Sequence, residues 1–257
     1  MISRKLTVAL AAFGLAGASF AQVGAFKYTA NPSDSAQDAS AGRIDRIDST
    51  YDSAKNELSW KADFSSTNGK LPDAFWLVVS NGPDPKGVAG QLAIFYLDAT
   101  TSVPKLTAYG YNGANGYTSF MDGSPANGTQ SPDRIATSVG TTNFAKSITV
   151  TNNGDKRTLG FTADVSGVNS FKPANSGSSA WEGAKYGDKV GVWFHPVAST
   201  KTSYDNMGYL KTFDPGHQGW YDASHQGTTP VPEPASLAVI GVGLLGVARR
   251  RKAKKSA

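Results

Sequence analysis

The stretch ELSWKADF, Glu57 to Phe64, decides the fold. Leu58, Trp60, Ala62 and Phe64 alternate with Glu57, Ser59, Lys61 and Asp63, a period of two. In an extended chain that period points one set of side chains into a core and the other into water, so the stretch is a half-buried β-strand. Just before it, YDSAKN carries the Asp, Ser and Asn that tight turns favour, which makes the segment from Arg43 to Phe64 a hairpin.

Outward from this hairpin, strand signals recur at Asp73 (DAFWLVVS), Leu92 (LAIFYLDA), Lys105 (KLTAYGY), Ser147 (SITVTNN), Arg157 (RTLGFTADV) and Lys189 (KVGVWFHPV). Turn clusters such as NGPDPKG and NNGDK separate them, with Gly and Pro supplying the special backbone angles. Outside the two terminal segments no helical stripe runs for more than two turns. The pattern predicts an all-β fold, a two-sheet, jelly-roll-like β-sandwich over residues 43–221, preceded by a polar leader at 22–42 and followed by a linker at 222–230. A body of this length supports one sizeable core. FWLVV and LAIFYL are apolar on both faces and read as central strands covered on both sides, whereas the Leu58 strand lies nearer an edge or beneath solvent. Two long loops, Gly110 to Asp133 and Phe171 to Asp188, are where a site would lie.

The body offers little chemistry. The absence of cysteine excludes thiol catalysis, Cys-ligated zinc and iron–sulfur clusters. Of the three histidines, His195 shares a strand face with Trp193, opposite Val192 and Phe194, and reads as structural. Asp214, His217, Asp222 and His225 form an imaginable metal set on a stretch too close to the linker to be held rigidly. Glycosidase-type catalysis needs two acids across a cleft, and the candidates beyond Glu57 are Asp133, Glu182 and Asp188 in the long loops, where turns are naturally acidic. No G-x-S-x-G, H-E-x-x-H or phosphate-cradling loop is present, so the reading is that the chain is not an enzyme and needs no cofactor. The nearest approach to a calcium set is Asp45, Asp48 and Asp52, whose spacing matches no EF-hand loop. Tyr109, Tyr111, Tyr117, Trp220 and Tyr221 flank the loops and the end of the body and could stack on sugars.

The termini say more. MISRKLTVALAAFGLAGASFAQ places Arg4 and Lys5 before an apolar run and small residues at Ser19 and Ala21, the layout of a signal peptide cut by signal peptidase after Ala21. At the other end Ser236 to Ala248 is uncharged, and Arg249, Arg250, Arg251, Lys252, Lys254 and Lys255 follow. Those cations would stay cytoplasmic, so the run at 236–248 reads as a short stop-transfer transmembrane helix that leaves the body outside. Gly241, Gly243 and Gly246 make it a poor permanent anchor.

Pro232, Glu233 and Pro234, then the apolar run, then the basic cluster, resemble the PEP-CTERM protein-sorting tail, with Val231 before the motif and ASLA after it in keeping. The resemblance covers about the last 28 residues and is silent on the body. It implies processing by an exosortase at the inner membrane of a Gram-negative bacterium that makes exopolysaccharide, and delivery to the cell surface or extracellular biofilm matrix. Charge fits such a route. Of 25 Lys and Arg, two lie in the signal segment and six in the tail, while of 20 acids only Glu233 lies in those ends, leaving 17 cations against 19 acids in the body. The basic excess belongs to the targeting segments, and no nucleic-acid partner is implied. The expectation is an exported structural or adhesive protein; the alternatives are a secreted lectin-like, carbohydrate-binding protein and, third, a hydrolase.

Overall fold

The computed structural model describes residues 23–31, 37–113, 133–140, 143–174 and 180–231. Its strands are β1 (Val23–Thr29), β2 (Gln37–Asp38), β3 (Arg43–Asp52), β4 (Glu57–Ser65), β5 (Ala74–Ser80), β6 (Ala93–Asp98), β7 (Lys105–Gly110), β8 (Arg134–Thr137), β9 (Ala145–Asn153) and β10 (Lys156–Asp164). After a one-turn helix α1 (Ser166–Asn169) come β11 (Lys189–Ala198), β12 (Lys201–Tyr204), β13 (Leu210–Asp214), β14 (His217–Gln218), β15 (Trp220–Gly227) and β16 (Thr229–Val231). A six-stranded sheet runs β16-β1-β3-β4-β10-β9, and a larger sheet runs β2-β15-β11-β5-β6-β7-β8 with β14 beside β11. Neighbouring strands are antiparallel, and the two sheets make a β-sandwich.

The alternating stretch behaves as its period requires. Leu58, Trp60, Ala62 and Phe64 are buried between the sheets, where the Trp60 ring lies 5.1 Å from Phe194 and 6.0 Å from Phe26. β4 pairs with β3 on one side and β10 on the other, so it is central, and solvent lies over its outer face. In β3, Ile44 and Ile47 are three apart, which a regular strand would send to opposite faces. A register shift between Ile44 and Arg46 absorbs the extra residue, and both isoleucines enter the core. Gly154, at φ 60°, opens the two-residue turn from β9 to β10, where a tight hairpin asks for glycine.

β5 and β6 are buried along their whole length. Phe75, Leu77, Val79, Phe95 and Leu97 face the inter-sheet core, while Ala74, Trp76, Val78, Ile94 and Tyr96 belong to a second apolar cluster with Trp193, Tyr109, Tyr111, Leu210 and Phe213. The cover over this cluster is the β12–β13 hairpin together with the 3₁₀ turn Pro85–Val88. Buried Asp98 pins the hairpin: it accepts hydrogen bonds from Thr202 Oγ1 at 2.8 Å, Tyr204 Oη at 2.5 Å, and Thr100 N and Oγ1 at 2.8 and 2.6 Å. Asp73 accepts from Thr200 N and Oγ1 at the start of the hairpin.

Two expected boundaries are corrected. The segment read as a polar leader contains β1, which inserts between β3 and β16 and buries Ala25 and Phe26, and also β2 at the edge of the larger sheet. The segment read as a linker is β15 and β16, paired to β11 and β1. Backbone pairing places these stretches in sheets despite their weak apolar pattern. Among the described residues no helix is long and apolar enough to cross a membrane. Residues 1–21 and 236–248, read as signal peptide and membrane segment, lie outside the described residues.

Candidate functional site

The body leaves the fold through β16. Val231, Pro230 and Thr229 stand opposite Val23, Gly24 and Ala25 of β1. Thr228 fixes the approach, donating from its N to Asp188 O at 3.0 Å and from Oγ1 to Gly187 O at 2.8 Å. Because the pair is antiparallel, the first residue of β1 and the last of β16 face each other. Residues 23 and 231 therefore lie at the same end of one sheet edge. Pro232 follows Val231 with no spacer, so the proline-bracketed acid begins where the sheet stops. Pro232, Glu233 and Pro234, the cations Arg249, Arg250, Arg251 and Lys252, the cleavage residue Ala21, and Tyr117 lie outside the described residues.

The remaining sugar-stacking candidates do not form a platform. Tyr109 and Tyr111 are 0% exposed, built into the second apolar cluster, where Tyr109 Oη accepts from Leu210 N at 2.8 Å and the Tyr111 ring lies 5.8 Å from Trp193. Tyr221 is buried between the sheets, its ring 4.3 Å from Tyr28. Trp220, 39% exposed, is the one large aromatic of the set open to solvent among the described residues. The sequence could not reveal this burial, because the cover over β7 and β11 comes from β12 and β13, about a hundred residues away along the chain from Tyr109.

The carboxylates suggested for calcium do not converge. Asp45 accepts from the Ser65 hydroxyl, Asp48 pairs with Arg46 Nε at 2.5 Å, and Asp52 pairs with Lys55 Nζ at 2.7 Å. The Lys55 hydrogen bond holds the Asp52 carboxyl below its ordinary range. Asp133, Glu182 and Asp188 likewise serve separate loops: Asp133 caps Ala174 N, Glu182 N bonds Gln91 O, and Asp188 O receives Thr228 N. Asp214 ends β13 and His217 lies on β14, while Asp222 is taken by other partners; the His225 side chain is outside the described residues. No group of three such ligands gathers among the described residues.

Two polar groupings that the linear pattern hid do exist. On the outer face of the larger sheet, His195 stacks on Trp193 with centroids 3.8 Å apart, its Nε2 is 3.6 Å from Asp222 Oδ1, and Lys86 Nζ reaches Asp222 Oδ2 at 2.9 Å. Burial alone would raise the Asp222 carboxyl; His195 and Lys86 outweigh it and hold the acid below its ordinary value. Gly191 lets the Pro85 turn approach, since a Cβ there would sit 2.2 Å from Pro83 O. On the six-stranded sheet's outer face an open cleft is lined by Asp45, Arg46, Asp63, Lys156, Arg157 and Thr158 among others. Within it Thr158 donates to Asp63 at 2.7 Å, and Arg157 donates from Nη1 to Pro72 O at 2.9 Å.

Comparison with known proteins bears on the tail. Residues 230–252 match the PEP-CTERM protein-sorting motif, and the body matches no family. Such a motif marks an exported protein, held transiently at the membrane, that an exosortase processes. No curated protein matches the chain. Among solved structures, a chain described under "pH-induced modulation of Streptococcus parasanguinis adhesion by Fap1 fimbriae" is similar at 15% identity, covering 79% of this chain and 96% of that one, with a TM-score of 0.24.

Proposed function

We propose that this protein is a structural or adhesive β-sandwich of the cell surface or extracellular matrix, exported by a signal peptide and released or attached after an exosortase of a Gram-negative cell removes its tail. The observation that carries the reading is the sorting motif at 230–252, which begins within the last strand of the sandwich. Pro232 and Pro234 favour an extended backbone that a protease-like groove can accept, since proline fixes φ and disfavours helix at the residue before it. Cutting near Pro232 leaves every described strand in place. The body then carries the role by its surface, and no bond-making step is assigned to it. The carbohydrate-binding alternative loses its platform once Tyr109 and Tyr111 are core residues.

The test uses Glu233→Ala in the native host, with the C-terminal mass read in membrane and extracellular fractions. Export should continue while maturation stops, so that full-length chain bearing Arg249 to Lys255 collects in the inner membrane. Deleting 236–257 should instead spill soluble body. Normal maturation of the Glu233→Ala protein, or an extracellular protein that keeps its arginines, would overturn the reading.

A further inference from the structure

The sandwich has four sheet edges among the described residues, and they differ in length. β16, β2 and β8 are three, two and four residues long, whereas β9 is nine. Natural sheets blunt exposed edges by brevity, charge, proline or bulges, because unpaired N–H and C=O groups template a further strand. β9 uses none of these devices from Ser147 onward. It holds no proline and no charge, and its pairing with β10 runs unshifted from Ser147 to Asn153. Lys146, at its start, is tied to Glu57 at 2.7 Å.

The strand is also symmetric in chemistry. Around Thr149 the sequence reads Ser147-Ile148-Thr149-Val150-Thr151, hydroxyl, β-branched, Thr, β-branched, hydroxyl. Ser147, Thr149 and Thr151 are exposed on the outer face, and Ile148 and Val150 reach the inter-sheet core but remain half-buried.

We propose that β9 is a homotypic interface: a second copy of this chain adds its own β9 antiparallel, about a two-fold axis at Thr149, joining two six-stranded sheets into one. In that register Ser147 faces the second copy's Thr151, Ile148 faces its Val150, and Thr149 faces its counterpart. Each hydroxyl meets a hydroxyl, and each half-buried apolar side chain is completed by another. The uncharged stretch sets no like charges opposite each other, while a charged foreign strand would find no complement here. Strand addition at an open edge is an established mode of association. The inference does not depend on the sorting reading.

Because the chain has no cysteine, one introduced thiol is unique. Full chain in detergent is compared as wild type, Thr149→Lys, Thr149→Ser, Thr149→Cys and, as an off-axis control on exposed β3, Thr50→Cys. Sedimentation should show a dimer for wild type and Thr149→Ser and its loss for Thr149→Lys, with far-ultraviolet dichroism unchanged. Mild oxidation should link Thr149→Cys into a covalent dimer and leave Thr50→Cys monomeric. A monomeric wild type, a Thr149→Lys dimer equal to wild type, or equal cross-linking at positions 149 and 50 would overturn the proposal. Should Thr149→Lys lose its fold, the two cysteine variants decide alone.

Discussion

The outer faces of the two sheets are built from opposite materials. The six-stranded sheet turns Thr50, Ser59, Lys61, Asp63 and Thr162 to solvent and keeps its apolar residues on one side, so its strands alternate. The larger sheet turns Trp76, Tyr96, Tyr109 and Trp193 outward and then hides them beneath the β12–β13 hairpin and the Pro85–Val88 turn, so its central strands β5 and β6 are buried along their whole length. What differs is only whether a later segment returns to cover the sheet. A sandwich can thus be two layers thick at one place and three at another, with the third layer held by a few buried hydrogen bonds.

The largest expected effect separates the two faces by alkali. Burial pushes the Tyr109 hydroxyl up to about 12, and burial also raises Tyr96, Tyr111 and, with Asp98 beside it, Tyr204. A phenol ionises near 10 when unfolded, so the stability these groups contribute is complete below that pH and is lost as pH climbs through the folded values. Tyrosinate absorbance and dichroism followed together should show the covered cluster ionising only as structure is lost. Ionisation of all the tyrosines near 10 in an intact fold would mean that the third layer is not closed.

Next comes the shared core. Trp60→Ala should cost about 3–5 kcal/mol in a denaturant titration, because the indole fills space that both sheets border. An unchanged midpoint would mean that β4 faces the other way. Smaller is Asp98→Ala, at about 1–3 kcal/mol, since it strands the hydroxyls of Thr202 and Tyr204. Limited proteolysis should then cut within Lys201–Asp214 before it cuts the sandwich; cleavage elsewhere first would show that Asp98 does not hold the hairpin. The smallest change is Thr50→Ala on the bare face, within about 0.5 kcal/mol of wild type by thermal melting, as exposed positions usually are. A loss as large as that of Trp60→Ala would show that this face too is covered.

Much of this was readable in advance where a local period carried it. The alternation through Phe64, the double-sided apolar runs of β5 and β6 and the Gly154 turn all place their strands correctly. Weak segments were missed for a common reason. VGAFKYT and WYDASHQG mix small and polar residues, and they are strands because strong neighbours offer them an edge to pair with. Tyr109, Tyr111 and Tyr221 were misread as open for a related reason: flanking a loop in sequence says nothing about what folds over the ring.

The sequence alone carried the sorting tail and determined the class of architecture. Targeting tails are read as linear chemistry, and period two needs only a strand's own geometry to choose its faces. Tertiary structure alone decided which outer face is wet, that Asp222 meets His195 and Lys86, and that the body's first and last strands lie side by side. Those outcomes depend on contacts between residues far apart in the chain, such as Asp98 with Tyr204, and no local pattern encodes where a distant segment returns.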